Sequence, residues 1–533
     1  MKGDKNLISK LKTDFPAGIV VYFVALPLCL AIAQVSTGHS ELIFSGIIAG
    51  IIGGIIVGAL SGSQLGVSGP AAGLVVIVSD GINKLSVRPD GVSDYIYGFE
   101  GLLLAVFLAG IIQLIAGFLK AGIIGNYFPS SVIKGMLAAI GITIILKELP
   151  HALGYDKDFM GDEAFDQADG HNTFTEIYYA IKYNSSAAVI IAAVSIVLLI
   201  ILERKPFKNL ALFKFIPPAL FVVAGGVLLN MGFAGNINIP ALDGEHLVQL
   251  PVAQTVSDFF GFFRFPDLGR LSDPLIYGVG FTIAIVASIE TLLSLEATDK
   301  LDPLKRISSG NRELKAQGVG NIVSGLIGGL PITQVIVRSS ANINSGAQSR
   351  LSAIIHGVIL LLSAILIPKI INTIPLASLA AILILVGYKL AKISLFKEMY
   401  KLGWVQFLPF VVTILAVLAT DLLEGIGVGI LVAFLAIVSE NYRNTFKSLS
   451  IDHDPDIPIR MELSDMVTFI NKGILLETFR NIPDNSHLII DGSKSKYIDY
   501  DVLEVINEFK VHKAGQRAII VDLINIPELK GIH

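Results

Sequence analysis

Two stretches of this 533-residue chain place serine, glycine and proline inside otherwise apolar sequence. Residues 61–73 contain Ser68-Gly69-Pro70, and residues 328–342 contain Arg338-Ser339-Ser340. Glycine and proline favour a chain break followed by a new short helix, and Ser68 is the predicted N-cap of the first one. A helix amino terminus presents free N–H groups and about half a positive charge. The pattern therefore indicates chemistry that binds an anion.

Arg338 strengthens this interpretation, because it directly follows an uncharged run, residues 316–337. A guanidinium facing lipid would cost about 2.5–3.5 kcal/mol, so an anion, a carboxylate or water must compensate its charge. One interpretation is an anion site. The alternative is a structural arginine that pairs with a carboxylate or extends to the membrane interface.

Glu290 follows sixteen uncharged residues, and Ser294 lies one turn later on the same helix face. An ionisable residue in such a span is a functional candidate. Glu290 could bind a coupling cation with Ser294, carry a proton, pair with Arg338, or lie at the inner interface. Oxygen ligands suit sodium, but these residues do not distinguish sodium from a proton.

These residues belong to a membrane protein. The chain is 53% apolar and 16% charged, with a mean hydropathy of +0.70. A soluble protein would carry about 25% charged residues. The single cysteine, Cys29, excludes a disulfide framework and a multi-cysteine metal site. A net charge of −4 gives no indication of nucleic-acid binding.

Uncharged runs predict about fourteen membrane segments, counted at ~20 residues per crossing. The run 42–79 exceeds one crossing and contains polar residues 61–64, so it predicts two segments, the second unusually short. Residues 316–337, together with the residues that follow them, likewise predict two segments.

Basic loops predict the orientation of these segments. Lysine and arginine cluster in residues 1–14 and in the loops 203–214, 299–315 and 389–401, which we expect on the cytosolic side. The loop 148–182 carries eight acidic residues and should lie outside. Both termini are then cytosolic, and residues 1–14 are interpreted as a cytosolic start and not as a signal peptide.

Two distant parts of the membrane region share a pattern. Gly110, Pro129 and Gly141 in one part correspond to Gly357, Pro375 and Gly387 in the other. Either this is a coincidence in a glycine-rich chain, or residues of about 15–235 and 274–441 form two repeats. With an odd number of segments in each, the repeats would be inverted.

After Glu440 the composition becomes polar. We predict a transmembrane domain over 15–441, a linker over 442–455 and a small cytosolic α/β domain over 456–533 that is shortened at its end. Alternating apolar stretches predict strands, and spaced apolar residues predict helices.

The phrases DFPAGIVVYFVALPLCLAIA, GVSGPAAG, SIETLLSLEATDKL and GNRELKAQGVGNIVSGLIGGLPIT resemble the SulP family of inorganic anion transporters. The resemblance covers nearly the whole chain. It implies an all-α membrane fold of fourteen segments in two inverted seven-segment repeats, similar to the uracil permeases, in which a core moves against a gate. The C-terminal part resembles the sulfate transporter and anti-sigma antagonist (STAS) domain, which would support dimerisation.

The resemblance also implies a site between the third and tenth segments and a coupling role for Glu290 and Ser294. The matching anion-site positions are Ser68, Gly69, Pro70, Ala71, Ala72, Val337, Arg338, Ser339 and Ser340. Two positions depart from the family pattern. Leu28 follows Pro27 where many members have glutamine, and Val337 stands where serine is common. These differences make the pocket less polar, so the resemblance does not determine the anion.

The predicted function is a secondary active transporter of sulfate or bicarbonate type in the cell membrane, coupled to sodium or protons. Its expected partners are the anion, lipid and a second copy, with no nucleic acid and no cofactor beyond the coupling ion. A passive anion channel or an anion exchanger is the alternative. An enzyme that hydrates carbon dioxide is disfavoured, because the nine histidines and one cysteine lack zinc-site spacing. A nucleobase permease is disfavoured by Arg338.

Overall fold

The computed structural model describes most of the chain. The described residues are 2–88, 90–157, 160, 172–204, 216–235, 239–253, 255–420, 422–450 and 457–528. Parts of three predicted features, the acidic loop 148–182, the basic loop 203–214 and the linker 442–455, lie outside these ranges, as does the end of the C-terminal domain. The chain divides into two compact units, Met1–Lys401 with Phe410–Ile430, and Leu402–Pro409 with Leu431–His533.

Fourteen apolar segments follow one another within the described residues, which confirms the predicted number. Segments 1 to 7 are Lys2–Thr37, Ser40–Leu60, strand β1 (Ser68–Pro70) with Val75–Leu85, Tyr95–Phe118, Ser130–Leu153, Ser186–Leu202 and Pro218–Gly232. Segments 8 to 14 are Pro274–Leu301, Gly310–Ile327, strand β2 (Ile332–Gln334) with Ile336–Asn344, Leu351–Leu366, Leu376–Leu390, Trp404–Ala419 and Leu422–Arg443. Shorter helices connect them at Thr173–Lys182, Val256–Gly261, Pro368–Ile371 and Ile393–Lys401.

Six helices in the described part of the chain are long and apolar enough to cross a membrane individually, and eight crossings result if two bent helix pairs are each counted as one. Segments 3 and 10 are too short because each is interrupted. Segment 1 is 89% buried over its most apolar window, whereas segment 14 is 22% buried. Segment 1 is therefore enclosed by other segments, and segment 14 leaves most of its apolar surface outward.

Several helix starts follow directly from the sequence. Asp94, Asp273 and Ser309 each accept a hydrogen bond from a backbone N–H in the first turn of segments 4, 8 and 9. Such side chains satisfy amide groups that have no partner inside the helix. These caps fix where the long helices begin.

The predicted repeat is confirmed by contacts between corresponding residues. Pro129 and Pro375 occupy the N-cap positions of segments 5 and 12. A Cβ atom at Gly141 would lie 2.6 Å from the Gly387 carbonyl oxygen, and a Cβ at Gly387 would lie 2.6 Å from the Gly141 oxygen. Equivalent residues therefore meet each other, as a two-fold relation between the repeats requires.

The second pair of glycines obeys the same relation. Gly110 of segment 4 packs against segment 9, where its Cβ would lie 2.6 Å from the Gly318 oxygen. Gly357 of segment 11 packs against segment 2, where its Cβ would lie 3.0 Å from the Gly54 carbonyl carbon. Small residues let helix backbones approach closely where lipid supplies no hydrophobic driving force. The fold is thus an all-α membrane fold built from two inverted repeats.

The second unit contains a small α/β fold. Its strands are β3 (Phe446–Ser450), β4 (Ile459–Leu463), β5 (Met466–Val467), β6 (His487–Asp491), β7 (Tyr497–Ile498) and β8 (Ile520–Ile524), with helices Lys472–Asn481 and Tyr500–Glu508. The main sheet has the order β3-β4-β6-β8; β3 is antiparallel to β4, and the other neighbours are parallel. These elements give the α/β fold predicted for residues 456–533, and β3 falls in the stretch predicted as a linker.

Candidate anion site

The interrupted parts of segments 3 and 10 lie against each other. Strand β1 (Ser68–Pro70) pairs antiparallel with strand β2 (Ile332–Gln334), with Gly69 opposite Thr333. The Val335 N–H donates to the Val67 oxygen over 2.9 Å. Both strands are buried. Backbone without helical structure at this depth is satisfied by protein, as it must be inside a membrane.

A helix starts immediately after each strand. The first half-helix is a 3₁₀ turn, Ala72–Leu74, that continues into Val75–Leu85, and the second half-helix is Ile336–Asn344. Neither start carries a side-chain cap, in contrast to segments 4, 8 and 9. Uncapped first-turn N–H groups carry partial positive charge and are available to an anion.

The prediction that Ser68 caps the first half-helix is wrong. Ser68 is part of β1, four residues before the 3₁₀ turn begins, and its hydroxyl accepts a hydrogen bond of 2.7 Å from Nε2 of Gln317. Strand pairing with β2 holds Ser68 in extended backbone, so its hydroxyl cannot reach the helix start. The short helix predicted for the second break is present as Ile336–Asn344.

Arg338 lies at the crossing and is fully buried. Its Nη2 donates to the Pro70 carbonyl oxygen over 3.3 Å. Its Nε and Nη1 have no hydrogen-bond partner among the described residues. A buried guanidinium with open donors is costly unless an acceptor reaches it. Arg338 therefore holds hydrogen-bonding capacity for an anion or water.

Gly69 makes room for this guanidinium. A Cβ atom at position 69 would lie 1.9 Å from Nη1 of Arg338. The Cys29 thiol of segment 1 and the His356 ring of segment 11 are buried near Arg338. Sequence reasoning missed Cys29 and His356, since neither stands in a motif that suggests ion binding.

The other predicted anion-site residues are brought together as expected. Ser339 accepts a hydrogen bond from the Val67 N–H over 3.0 Å, and this bond ties the second half-helix to the chain before β1. Ser340 donates to the Val337 carbonyl oxygen over 2.8 Å. Ala71 and Val337 are buried beside the two helix starts. The Ser339 hydroxyl therefore joins two segments, and the Ser340 hydroxyl is bonded within its own half-helix.

Glu290 is buried in segment 8 and lies at the start of the first half-helix. A Cβ atom at Gly73 would lie 3.2 Å from Oε2 of Glu290. Ser294 is buried one turn later, and its carbonyl oxygen accepts the Thr298 hydroxyl over 2.6 Å. A carboxylate beside a helix amino terminus is stabilised there by the helix dipole.

Two cavities border segment 1. A cavity of about 290 Å³ touches Pro27 and Gln34 of segment 1 and Asp156 in the loop after segment 5. Another, of about 460 Å³, touches Pro16 of segment 1 and Ala341 of the second half-helix. The crossing strands and Arg338 are buried and line neither cavity. The crossing is therefore closed to solvent in this structure.

A buried carboxylate bridges two histidines beside the first of these cavities. Asp156 accepts hydrogen bonds of 2.6 Å from Nδ1 of His151 and from Nδ1 of His246. The bond to Asp156 raises the pKa of His246 above its ordinary value, although burial acts in the opposite direction; Glu245 and Asp243 raise it further. Burial raises the pKa of Asp156, but the hydrogen bonds from the two histidines lower it overall.

These shifts predict a pH-dependent contribution to stability. His246 stabilises the fold fully below its unfolded pKa, about 6.5, and this contribution is lost as pH rises through its higher folded value. We expect His246→Gln to lower Tm by on the order of 1–2 °C near pH 6, because a partly exposed ion pair contributes less than about 1 kcal/mol. The difference should shrink toward high pH in thermal melts of the purified protein. His39→Gln is the matched control, because it replaces a histidine that stacks on Tyr95. A difference in Tm between His246→Gln and the wild type that does not change with pH would contradict the prediction.

The crossing of two broken segments inside a fourteen-segment inverted repeat defines a multi-pass membrane transporter. The sequence matches the Sulfate permease family over residues 11–413, and the chain belongs to this family.

Relatives agree with this assignment. The chain is 28% identical over 430 residues to a putative sulfate transporter, YvdB, of Bacillus subtilis, covering 80% of this chain and 74% of the relative. It is 26% identical over 370 residues to the bicarbonate transporter BicA of Synechocystis, covering 69% of this chain and 61% of the relative. The fold is similar to that of the murine Solute Carrier 26 family member A9 anion transporter in the inward-facing state, with a TM-score of 0.61, 17% identity and coverage of 97% and 85%.

Proposed function

We propose that this protein carries an inorganic oxyanion, sulfate or bicarbonate, across the cell membrane by alternating access, driven by sodium or protons. The observation that carries the proposal is that two uncapped half-helices start directly after the paired strands β1 and β2, and that the first turn of the second carries the open donors of Arg338. Several N–H groups and one guanidinium match the several acceptor oxygens of an oxyanion. Relatives named for sulfate and for bicarbonate support both candidates.

Glu290 supplies a physical reason for coupling. Its carboxylate lies beside Gly73 at the first half-helix, so a negative charge already competes for the amino terminus that would serve the anion. Sodium or a proton would neutralise Glu290, with Ser294 as a further oxygen ligand for sodium. Each ion would then favour binding of the other, and this coupling is necessarily reciprocal. Joint binding of this kind supports symport.

The two cavities support alternating access. Segments 1 and 10 line one wall of the larger cavity, and Glu203, Tyr388 and Lys389 of the segment 6 and segment 12 regions line the other. Relative motion of these walls would open the buried crossing toward one side at a time. We place both termini in the cytosol, the small α/β fold formed by β3 to β8 there as a STAS-type domain, and the working protein as a homodimer.

The test is uptake of radiolabelled sulfate and of radiolabelled bicarbonate into proteoliposomes containing the purified full chain. We expect one of these anions to accumulate against its own gradient when a sodium or pH gradient is imposed, and unlabelled chloride and a dicarboxylate to compete weakly. Uptake that only dissipates the anion gradient would indicate a channel, and a requirement for anion inside the vesicle would indicate an exchanger. Either result overturns the symport proposal.

A further inference from the structure

Segment 9 has one polar face that is fully buried. Glu313, Gln317, Asn321 and Ser324 all have 0% exposure, and their spacing of four, four and three residues places them on one helix face. Within a membrane, burying such a polar helix face costs free energy unless its groups are hydrogen-bonded. The contacts of these side chains show that they are bonded to the two interrupted segments.

Asn321 holds the beginning of β2. Its Oδ1 accepts the Ile332 N–H over 2.6 Å, and its Nδ2 donates to the Ile332 carbonyl oxygen over 3.0 Å. The side chain thus binds both backbone groups of one strand residue, as a neighbouring strand would. Ser324 donates to the Leu330 oxygen over 2.7 Å, just before β2 begins.

Gln317 holds β1 from the same helix. Its Nε2 donates to the Ser68 hydroxyl over 2.7 Å and to Oε1 of Glu313 over 2.9 Å. Glu313 in turn accepts the Ser61 hydroxyl over 2.5 Å and the Gly62 N–H over 2.8 Å at the end of segment 2. One helix face therefore contacts both strands and the chain leading into the first of them.

The strands need this support because they are short. Each has three residues, and an isolated pair of strands is marginal in stability. A shift of one residue in their pairing would reverse which face each side chain occupies. It would also move the starts of both half-helices, because each follows its strand within a few residues.

We propose that Gln317 and Asn321 are positioning residues for the anion site, acting through the register of β1 and β2. The inference rests on the proposed function, since it assumes that the half-helix starts bind the anion. Neither side chain needs to touch the anion. If the hydrogen bonds of Gln317 or of Asn321 to the strands are lost, the N–H donors at the half-helix starts remain but are misaligned. The affinity for the anion should therefore fall more than the rate of the transport cycle.

The experiment compares Gln317→Met and Asn321→Ser with the wild type in proteoliposomes, measuring KM and Vmax for radiolabelled sulfate and bicarbonate. We expect KM to rise about five- to ten-fold, the equivalent of one lost hydrogen bond, and Vmax to change by less than about two-fold. If Gln317→Met does not fold, Ser68→Ala removes the same hydrogen bond from its other end and should raise KM similarly.

Gln113→Met is the matched control. Gln113 is equally buried and belongs to segment 4. It accepts from Nδ2 of Asn321 over 2.7 Å and donates to the Ser288 hydroxyl over 3.3 Å, and neither of these two bonds involves β1 or β2. Asn321 keeps both bonds to Ile332 in this variant. We expect a lower melting temperature with an unchanged KM.

Two results would overturn the inference: a wild-type KM in both Gln317→Met and Asn321→Ser, or an equal rise in KM in Gln113→Met. Arg338→Gln is measured alongside to separate this inference from the proposed function. A raised KM for Arg338→Gln with normal KM for the positioning variants rejects the positioning role alone. An unchanged KM for Arg338→Gln rejects the anion site itself.

Discussion

Replacing Arg338 with glutamine should raise the KM for the transported anion about 30- to 100-fold, corresponding to about 2–3 kcal/mol for a buried charged hydrogen bond. Glutamine keeps amide N–H donors on a long side chain but lacks the positive charge of arginine. The protein should still fold, because Nε and Nη1 of Arg338 have no partner in the described structure and a neutral side chain removes a buried charge. Radiolabelled uptake and thermal melting, measured on the same preparation, check both parts.

Two further variants sharpen this test. Gly69→Ala would place its methyl carbon 1.9 Å from Nη1 of Arg338, so the guanidinium must move and KM should rise with the charge retained. Arg270→Gln is the matched control. Arg270 is also nearly buried, but it donates to the Tyr97 and Leu85 carbonyl oxygens and pairs with Asp273. Its loss should lower stability and leave KM unchanged. A normal KM in Arg338→Gln would remove Arg338 from the site.

Replacing Glu290 with glutamine should abolish the dependence of uptake on sodium or pH. The neutral amide imitates the carboxylate after it has bound a cation or a proton, so the anion should still bind at the first half-helix. Accumulation against a gradient should fall to the equilibrium level, because no ion remains to drive it. The measurement is uptake with and without an imposed sodium gradient and, separately, a pH gradient.

Glu313→Gln provides the comparison for Glu290→Gln. Glu313 is also a fully buried carboxylate, on the adjacent segment, but its partners are the Ser61 hydroxyl, the Gly62 amide and the Gln317 amide. We expect this variant to keep its ion dependence. If Glu290→Gln still accumulates the anion under a sodium or pH gradient, Glu290 does not handle the coupling ion.

Much of the architecture could be predicted because it depends on local composition. Apolar runs long enough to cross a bilayer gave the segments, and Gly141 with Gly387 marked corresponding places in the two repeats. Both prolines, Pro129 and Pro375, start helices as their fixed backbone angle favours. These features depend on residues that are neighbours along the chain, so they can be recognised without the folded structure.

The site was only partly predictable. The breaks at residues 68–73 and 332–338 were visible as interruptions in apolar sequence, and so were the isolated charges of Arg338 and Glu290. The assignment of Ser68 as a helix cap was wrong, because a serine before a glycine and a proline suits a cap as well as a strand. Only its pairing with β2, some 260 residues later in the chain, selects the strand.

Local sequence identifies this chain as a membrane protein with about fourteen segments, two of them broken, and shows which residue types stand at the breaks. The pairing of β1 with β2, the position of Glu290 beside Gly73, and the bonds from Gln317 and Asn321 to the strands are visible only in the folded chain. Hydropathy and backbone preference act between neighbours along the chain, whereas hydrogen bonds between distant segments form only after helix packing brings them together.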